Sequence, residues 1–271
     1  METGLGGRTV VVTGGNANIG RAVALAFATE KCNVVIVGRD EKQGRQVCED
    51  LVSQGARGVL WQAADVTDRA QVAAMAAAVH ARFGPVDVLV NNVGGNVGMD
   101  AFADSDPEAW ERDIALNFTS TLNCTHALLP RMIEQGRGRI INIGSTSGIV
   151  GDPLLAVYSA MKGAVHTFTK VLAKEVGRHG ITVNAVAPYG TVPQDFEKEV
   201  SAGSRWHPQG VFARLAATRA EEFHSIGRRT VLTRQTAFPA EIGAAAVYLA
   251  SDGAAFVTGQ VLCVDGGTQI A

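Results

Sequence analysis

Short β-branched apolar runs alternate along the chain with longer Ala-rich stretches whose apolar residues recur at helical spacing. The runs predict strands over Thr9–Thr13, 33–37, 59–63, 86–91, 139–144, 182–187 and 260–264. Helical spacing is clear over 70–83 and 158–176. Ser105-Asp106-Pro107-Glu108 reads as a capping box with an early proline, so a long helix is predicted over 110–132. Strand interiors that are apolar at nearly every position belong to a sheet covered on both faces. The expected fold is therefore α/β, a single-domain Rossmann-like doubly wound parallel sheet of about seven strands with helices on both faces. No linker or repeat divides it. A cofactor half over about 1–150 and a catalytic half over about 151–271 are expected in such a fold. The stretch 188–239 carries charge, aromatics and glycine without a clear element, and unpatterned segments of that length are usually functional.

Composition narrows the function. The 24 Lys and Arg against 26 Asp and Glu leave a formal charge of −2, with no basic run, so a nucleic-acid partner is not expected. Apolar stretches reach only about eight residues, against the roughly 20 that span a bilayer. The first strand begins so early that no signal peptide is expected, and the compartment expected is cytoplasmic, without a membrane partner. Cys32, Cys48, Cys124 and Cys263 show neither CxxC nor metal-ligand spacing, so reduced thiols and no metal site are expected. The 31 glycines fall singly at the ends of apolar runs, as tight strand–helix turns require.

One such turn is TGGNANIG, residues 13–20, between the first strand and the first helix. Free N–H groups and the positive end of the helix dipole favour a pyrophosphate there. Gly14, Asn16, Asn18, Ile19 and Gly20 are the candidate cradle. Strand two ends in VVIVGRD, where Gly38 leaves room and Arg39 suits a 2′-phosphate, although a solvated surface cation is the alternative. Asp65 and Val66, after strand three, are placed at the adenine edge. NNVGG, after strand four, brings Asn92 and Gly94 near the middle of the cofactor.

In YSAMK, Tyr158 and Lys162 lie one helical turn apart on one face. A phenol with an ordinary pKa near 10 is a poor base at neutral pH, and an adjacent ammonium lowers that value. Ser145 ends the strand before this helix, and Asn117 is a polar amide among apolar neighbours that needs a partner.

The set TGGNANIG, NNVG, Asn117, Ser145 and Tyr158-x-x-x-Lys162, in this order, resembles the short-chain dehydrogenase/reductases. So do ITVNAVAP and the closing YLASDGAAFVTGQVLCVDGG, and the resemblance spans essentially the whole chain. It implies a nicotinamide cofactor and a catalytic set of Asn117, Ser145, Tyr158 and Lys162. Tyr158 would exchange a proton with the substrate oxygen, which Ser145 also holds. Lys162 would lower the tyrosine pKa and hold the nicotinamide ribose, and Asn117 would anchor a water in a proton relay. Pro188, Gly190 and Thr191 would meet the nicotinamide side, and 188–239 would be the substrate lid. The family is usually tetrameric, so a homotetramer is expected, with Val165, Phe168, Val171 and Leu172 offering apolar surface unless they face the chain's own sheet.

The chain departs from the family pattern at Asn18, where the middle glycine stands, and at Tyr189 and Pro193 in APYGTVP, where Gly and Thr are usual. Asparagine tolerates left-handed backbone, so a working variant loop is expected. Pro130 and His179 replace arginines that family members acting on acyl carrier protein carry. Phe196, Trp206, His207, Phe212 and Phe223 would line a pocket for a ring-bearing substrate, or else pack the lid onto the body. The expected activity is an NADP(H)-preferring interconversion of a secondary alcohol and a ketone, with NAD(H) possible. An NAD-dependent cyclic-diol dehydrogenase, a 3-oxoacyl thioester reductase and a non-catalytic nucleotide-binding protein are the alternatives.

Overall fold

β-Branched residues stiff at χ1 fit a pleated surface, and seven such runs form one sheet in a computed structural model that describes residues 2–220, 227 and 229–269. The strands are β1 Thr9–Thr13, β2 Asn33–Gly38, β3 Gly58–Ala63, β4 Val88–Asn91, β5 Gly138–Ile143, β6 Ile181–Pro188 and β7 Val261–Val264. All neighbours pair in parallel, in the order β3-β2-β1-β4-β5-β6-β7. The boundaries fall within one residue of the sequence expectation except that β4 starts at Val88, two residues later than predicted.

Alternate residues of one strand serve two cores. Val10 and Val12 pack with α1 (Asn18–Thr29), α2 (Glu41–Ser53) and a late helix at Pro239–Ala250. Val11 faces the other way, with α3 (Arg69–Phe83) and Leu128 and Met132 of the helix after β4. A strand buried on both sides has no polar face to show, which is why the sequence lacks period-two alternation there.

The helix predicted over 110–132 is not continuous. It runs as α4 (Pro107–Ile114), a π turn over Ala115–Thr119 and α5 (Ser120–Glu134). Apolar spacing does not register one extra residue in a turn, and π turns collect at functional sites. The short α6 (Ser147–Val150) precedes α7 (Ala156–Val176), and the stretch 188–239, expected to be the lid, contains α8 (Phe196–Glu199) and α9 (Val211–Thr218). The helix Pro239–Ala250 is α10. Strand order reverses between β1 and β4, so the loops after their carboxyl ends diverge and open a crevice.

Candidate active site

The crevice begins at the turn between β1 and α1. Gly14 takes φ +63° and Asn18 φ +43°, so asparagine does occupy the left-handed backbone that its position demands. A Cβ at Gly20 would lie 2.1 Å from the Gly14 carbonyl oxygen, so only glycine lets α1 approach the turn. The N-cap of α1, Ala17, supplies no side-chain cap and the first turn holds no acid. The helix start is therefore open to an anion. Buried Asn18 Oδ1 has no hydrogen-bond partner. Turning the amide over presents Nδ2 as a donor at the same place. An uncapped, acid-free helix start beside an unpartnered amide fits a dinucleotide pyrophosphate.

Asn16 donates from Nδ2 to Gln43 Oε1 at 3.0 Å, and its Oδ1 fills the space a Cβ at Gly38 would need. Ile19 packs its side chain against the first core. Arg39 reaches Asp65 at 3.5 Å while staying 70% exposed. Burial pushes the Asp65 carboxyl up, but hydrogen bonds from the Thr67 backbone and hydroxyl and the charge of Arg39 outweigh it and hold it below its ordinary value. Val66 turns its side chain into the second core. Asn92 donates from Nδ2 to the Thr13 carbonyl at 2.9 Å and the Gly14 carbonyl at 3.3 Å. It therefore staples the end of β4 to the cradle. On the far side, the Pro188 carbonyl accepts from Thr146 N–H at 3.0 Å and the Gly190 carbonyl from Ala237 N–H at 2.8 Å. Thr191 is buried and donates its hydroxyl to the Tyr189 carbonyl at 3.0 Å.

The four expected catalytic side chains come together where α7 meets β5 and the π turn. Tyr158 and Lys162 are both buried on one face of α7, and Lys162 Nζ lies 5.8 Å from the Tyr158 ring centre. That ammonium donates to the Ile143 carbonyl at 2.8 Å. Ser145 acts on the Tyr158 hydroxyl and donates to Ser147 Oγ at 3.1 Å, which in turn donates to Asp152. Asn117, on the π turn, donates to the Gly95 carbonyl at 2.7 Å and the Asp113 carbonyl at 2.8 Å. Gly94 is held between them: a Cβ there would be 2.8 Å from both Asn117 Oδ1 and Lys162 Nζ.

Burial alone would raise the Tyr158 pKa. The cations of Arg205 and Lys162, helped by the polar groups of Arg205 and Ser145, overcome that and hold it below the ordinary phenol value. Burial lowers Lys162, with Tyr158 opposing and Arg205 adding to the fall. A phenol so biased, beside a hydroxyl donor, can give or take a proton at an oxygen and stabilise charge that develops there.

Arg205 and Asp113 escaped the sequence reading. Asp113 stands four residues before Asn117, a helical spacing that carried a signal, but Arg205 lies in the unpatterned lid and carried none. Beside Tyr158 a cavity of about 470 Å³ opens between residues 97–113 and α9. Its apolar lining includes Met99, Leu154, Leu155 and Leu215, with the stacked rings of Phe102 and Trp110 5.0 Å apart. Of the two expectations for these aromatics, lining the pocket or packing onto the body, Phe196, Trp206 and Phe212 follow the second. Trp206 packs edge-on against both Phe196 and Phe212, its Nε1 donates to the Thr191 carbonyl at 3.1 Å, and His207 Nδ1 accepts from Gln209 N–H. These rings satisfy one another and pin the lid to the end of β6; Phe223 lies outside the described residues. Among the described residues no His, Cys, Asp or Glu cluster could hold a metal, and no helix is long and apolar enough to cross a membrane.

The pattern of the family described as short chain dehydrogenase matches residues 8–204. The 2-(S)-hydroxypropyl-CoM dehydrogenase 3 of Xanthobacter autotrophicus is 35% identical over 267 residues, 98% of each chain. A D-beta-hydroxybutyrate dehydrogenase of Cupriavidus necator is 34% identical, covering 97% of this chain and 98% of that one. The solved structure of gox2181 superposes with a TM-score of 0.83 at 30% identity, over 97% of this chain and 96% of that one. The chain belongs to the short-chain dehydrogenase/reductase family, oxidoreductases that act on alcohol and carbonyl groups.

Proposed function

We propose that the protein interconverts a secondary alcohol and a ketone with NADP(H) in preference to NAD(H), on a ring-bearing substrate. The observation that carries the reading is the Tyr158 hydroxyl, held by Ser145 and biased by two cations at the edge of an apolar cavity. The bound nicotinamide supplies the hydride acceptor in oxidation and the donor in reduction. Ser145 Oγ and Tyr158 Oη hold the substrate oxygen. In oxidation the phenolate of Tyr158 takes the carbinol proton; in reduction the phenol returns it. Lys162 stabilises the phenolate and reaches the nicotinamide ribose, and a water held at Asn117 refills the proton through Lys162. Gly14, Asn16, Asn18, Ile19 and Gly20 form the pyrophosphate cradle, with Asp65 and Val66 at the adenine. Asn92 and Gly94 let the backbone approach, and Pro188, Gly190 and Thr191 border the nicotinamide amide.

The preference for the phosphorylated cofactor is supported by Arg39, exposed and aimed by Asp65 beside the tip of β2. The ring-bearing substrate is supported by the cavity size and by the Phe102–Trp110 pair. A homotetramer is supported by the exposure of Val171 on α7, Leu262 on β7 and Phe256 before it, whereas Val165 and Leu172 face the chain's own core. Four unpaired cysteines support a reducing compartment such as the cytoplasm.

Fluorescence titration with NADPH and NADH, repeated on Arg39→Asp, tests the cofactor assignment. The expected result is tighter NADPH binding that the substitution weakens by roughly tenfold or more, as loss of a charge-assisted phosphate contact does. Equal or tighter NADH binding by the unmodified protein would reject the preference. Turnover of a panel of ring ketones with the favoured cofactor tests the substrate class.

A further inference from the structure

Arg205 stands in the lid, half-buried, with its guanidinium carbon 5.3 Å from the Tyr158 ring centre and 5.5 Å from that of Phe212. Its charge bears on the Tyr158 hydroxyl and holds the phenol below its ordinary pKa. Among the described residues it makes no ion pair within 4.0 Å. The carboxylate whose charge reaches it, Asp113, is buried and accepts from Val97 N–H at 2.8 Å. A half-buried guanidinium between two rings, with no carboxylate paired to it among the described residues, is a ready partner for an anion.

The guanidinium therefore stands beside the place a substrate oxygen must take at Tyr158. A substrate that binds Tyr158 and Ser145 therefore lies within reach of Arg205. An uncharged substrate leaves the guanidinium without an anion, whereas one carrying an acid near the reacting carbon supplies the missing charge. We propose that Arg205 receives a carboxylate of the substrate, so that the enzyme acts on hydroxy acids and their oxo acids. The inference rests on Tyr158 meeting the substrate oxygen, and it narrows the substrate class beyond a ring-bearing alcohol. The planar fork of arginine suits a carboxylate by two parallel hydrogen bonds, which lysine cannot reproduce.

The test compares oxidation of 3-hydroxy-3-phenylpropanoate with that of its methyl ester by the NADP-saturated protein, for wild type, Arg205→Met and Arg205→Lys. The ratio of the two kcat/KM values removes any effect of Arg205 on Tyr158 itself, because both substrates use the same phenolate. The expected ratio favours the acid by about tenfold or more in wild type, collapses in Arg205→Met and is partly kept in Arg205→Lys. An unchanged ratio, even with both rates lowered, would mean that Arg205 serves only Tyr158 and would overturn the proposal. Calorimetric binding of 3-phenylpropanoate, which has no carbinol, to the NADP complex gives a second readout. Binding that Arg205→Met weakens about tenfold supports the acid receptor even if neither alcohol is oxidised, a result that counts against the alcohol chemistry alone. Equal binding by wild type and Arg205→Met, or turnover of neutral ring ketones without any binding of the acid, overturns the receptor and leaves the oxidoreductase reading standing.

Discussion

Asn117 and Gly95 hold each other in both directions: the Gly95 N–H donates to Asn117 Oδ1 at 3.0 Å, and Asn117 Nδ2 donates to the Gly95 carbonyl at 2.7 Å. This clamp joins the π turn to the loop after β4, which separates the cradle from Lys162. Asn117→Ala would leave one buried and one half-buried carbonyl without that donor and cost about 2–4 kcal/mol, with a fall in turnover. Asn117→Asp should be at least as damaging, because a carboxylate cannot donate to either carbonyl. Thermal unfolding together with steady-state rates checks both.

Gly94 leaves no space for a side chain between Asn117 and Lys162. Gly94→Ala is expected to push the ammonium off the Ile143 carbonyl and cost about 1–3 kcal/mol, the usual range for overpacking. The rate should fall further than stability does, since Lys162 acts on Tyr158. A variant with unaltered rate and melting temperature would contradict this geometry.

At Asn18 the backbone and the amide have separate roles. Asn18→Ala places an ordinary L side chain at φ +43° and should destabilise by about 1 kcal/mol. Asn18→Gly relieves the backbone and should shift stability by less than about 1 kcal/mol, yet lose affinity for the dinucleotide because the unpartnered amide is gone. Melting curves and cofactor titration on the two variants separate these effects.

On the proposed chemistry, oxidation needs the phenolate of Tyr158. Its rate should therefore fall on acidification through a pKa below the ordinary value near 10, and reduction should fall on the alkaline side. Removing the charge of Lys162 as Met should move the midpoint upward, and Tyr158→Phe should abolish the pH-dependent rate while cofactor still binds. The groups facing this hydroxyl are Lys162 on α7, Arg205 in the lid and Ser145 after β5, and His166 faces Lys162 from one turn further along α7. A pH–rate profile of each variant reads the shift.

His166 is buried behind Lys162, and burial, with the cations of Lys162 and Lys170, pushes it down to about 4. A histidine depressed in the folded state binds fewer protons than the unfolded chain between that value and about 6.5. Its contribution is full above the unfolded pKa and is lost as pH falls through the window, by at most about 3 kcal/mol. His166→Gln should flatten this acid-side loss, which denaturant unfolding at pH 7, 5.5 and 4.5 measures.

Much of this molecule was legible before any coordinates. Strands buried on both faces must be apolar at every position, so Val10, Val11 and Val12 announced a covered parallel sheet without help from their neighbours. The Tyr158–Lys162 pair was equally plain, because helical periodicity alone puts residues i and i+4 on one face. Asn18 declared its left-handed backbone through the tolerance of asparagine for it.

Only the tertiary structure decided the rest, and for one physical reason: periodicity reports which side a residue faces, not what stands opposite. The π turn at Asn117 shifts the helix by a fraction of a turn that apolar spacing does not record. The lid aromatics Phe196, Trp206 and Phe212 found each other, while Phe102 and Trp110 from the opposite wall took the cavity. Arg205 comes from a segment with no pattern, 47 residues beyond Tyr158 in the chain, and only folding of the lid over the crevice sets its charge on the hydroxyl.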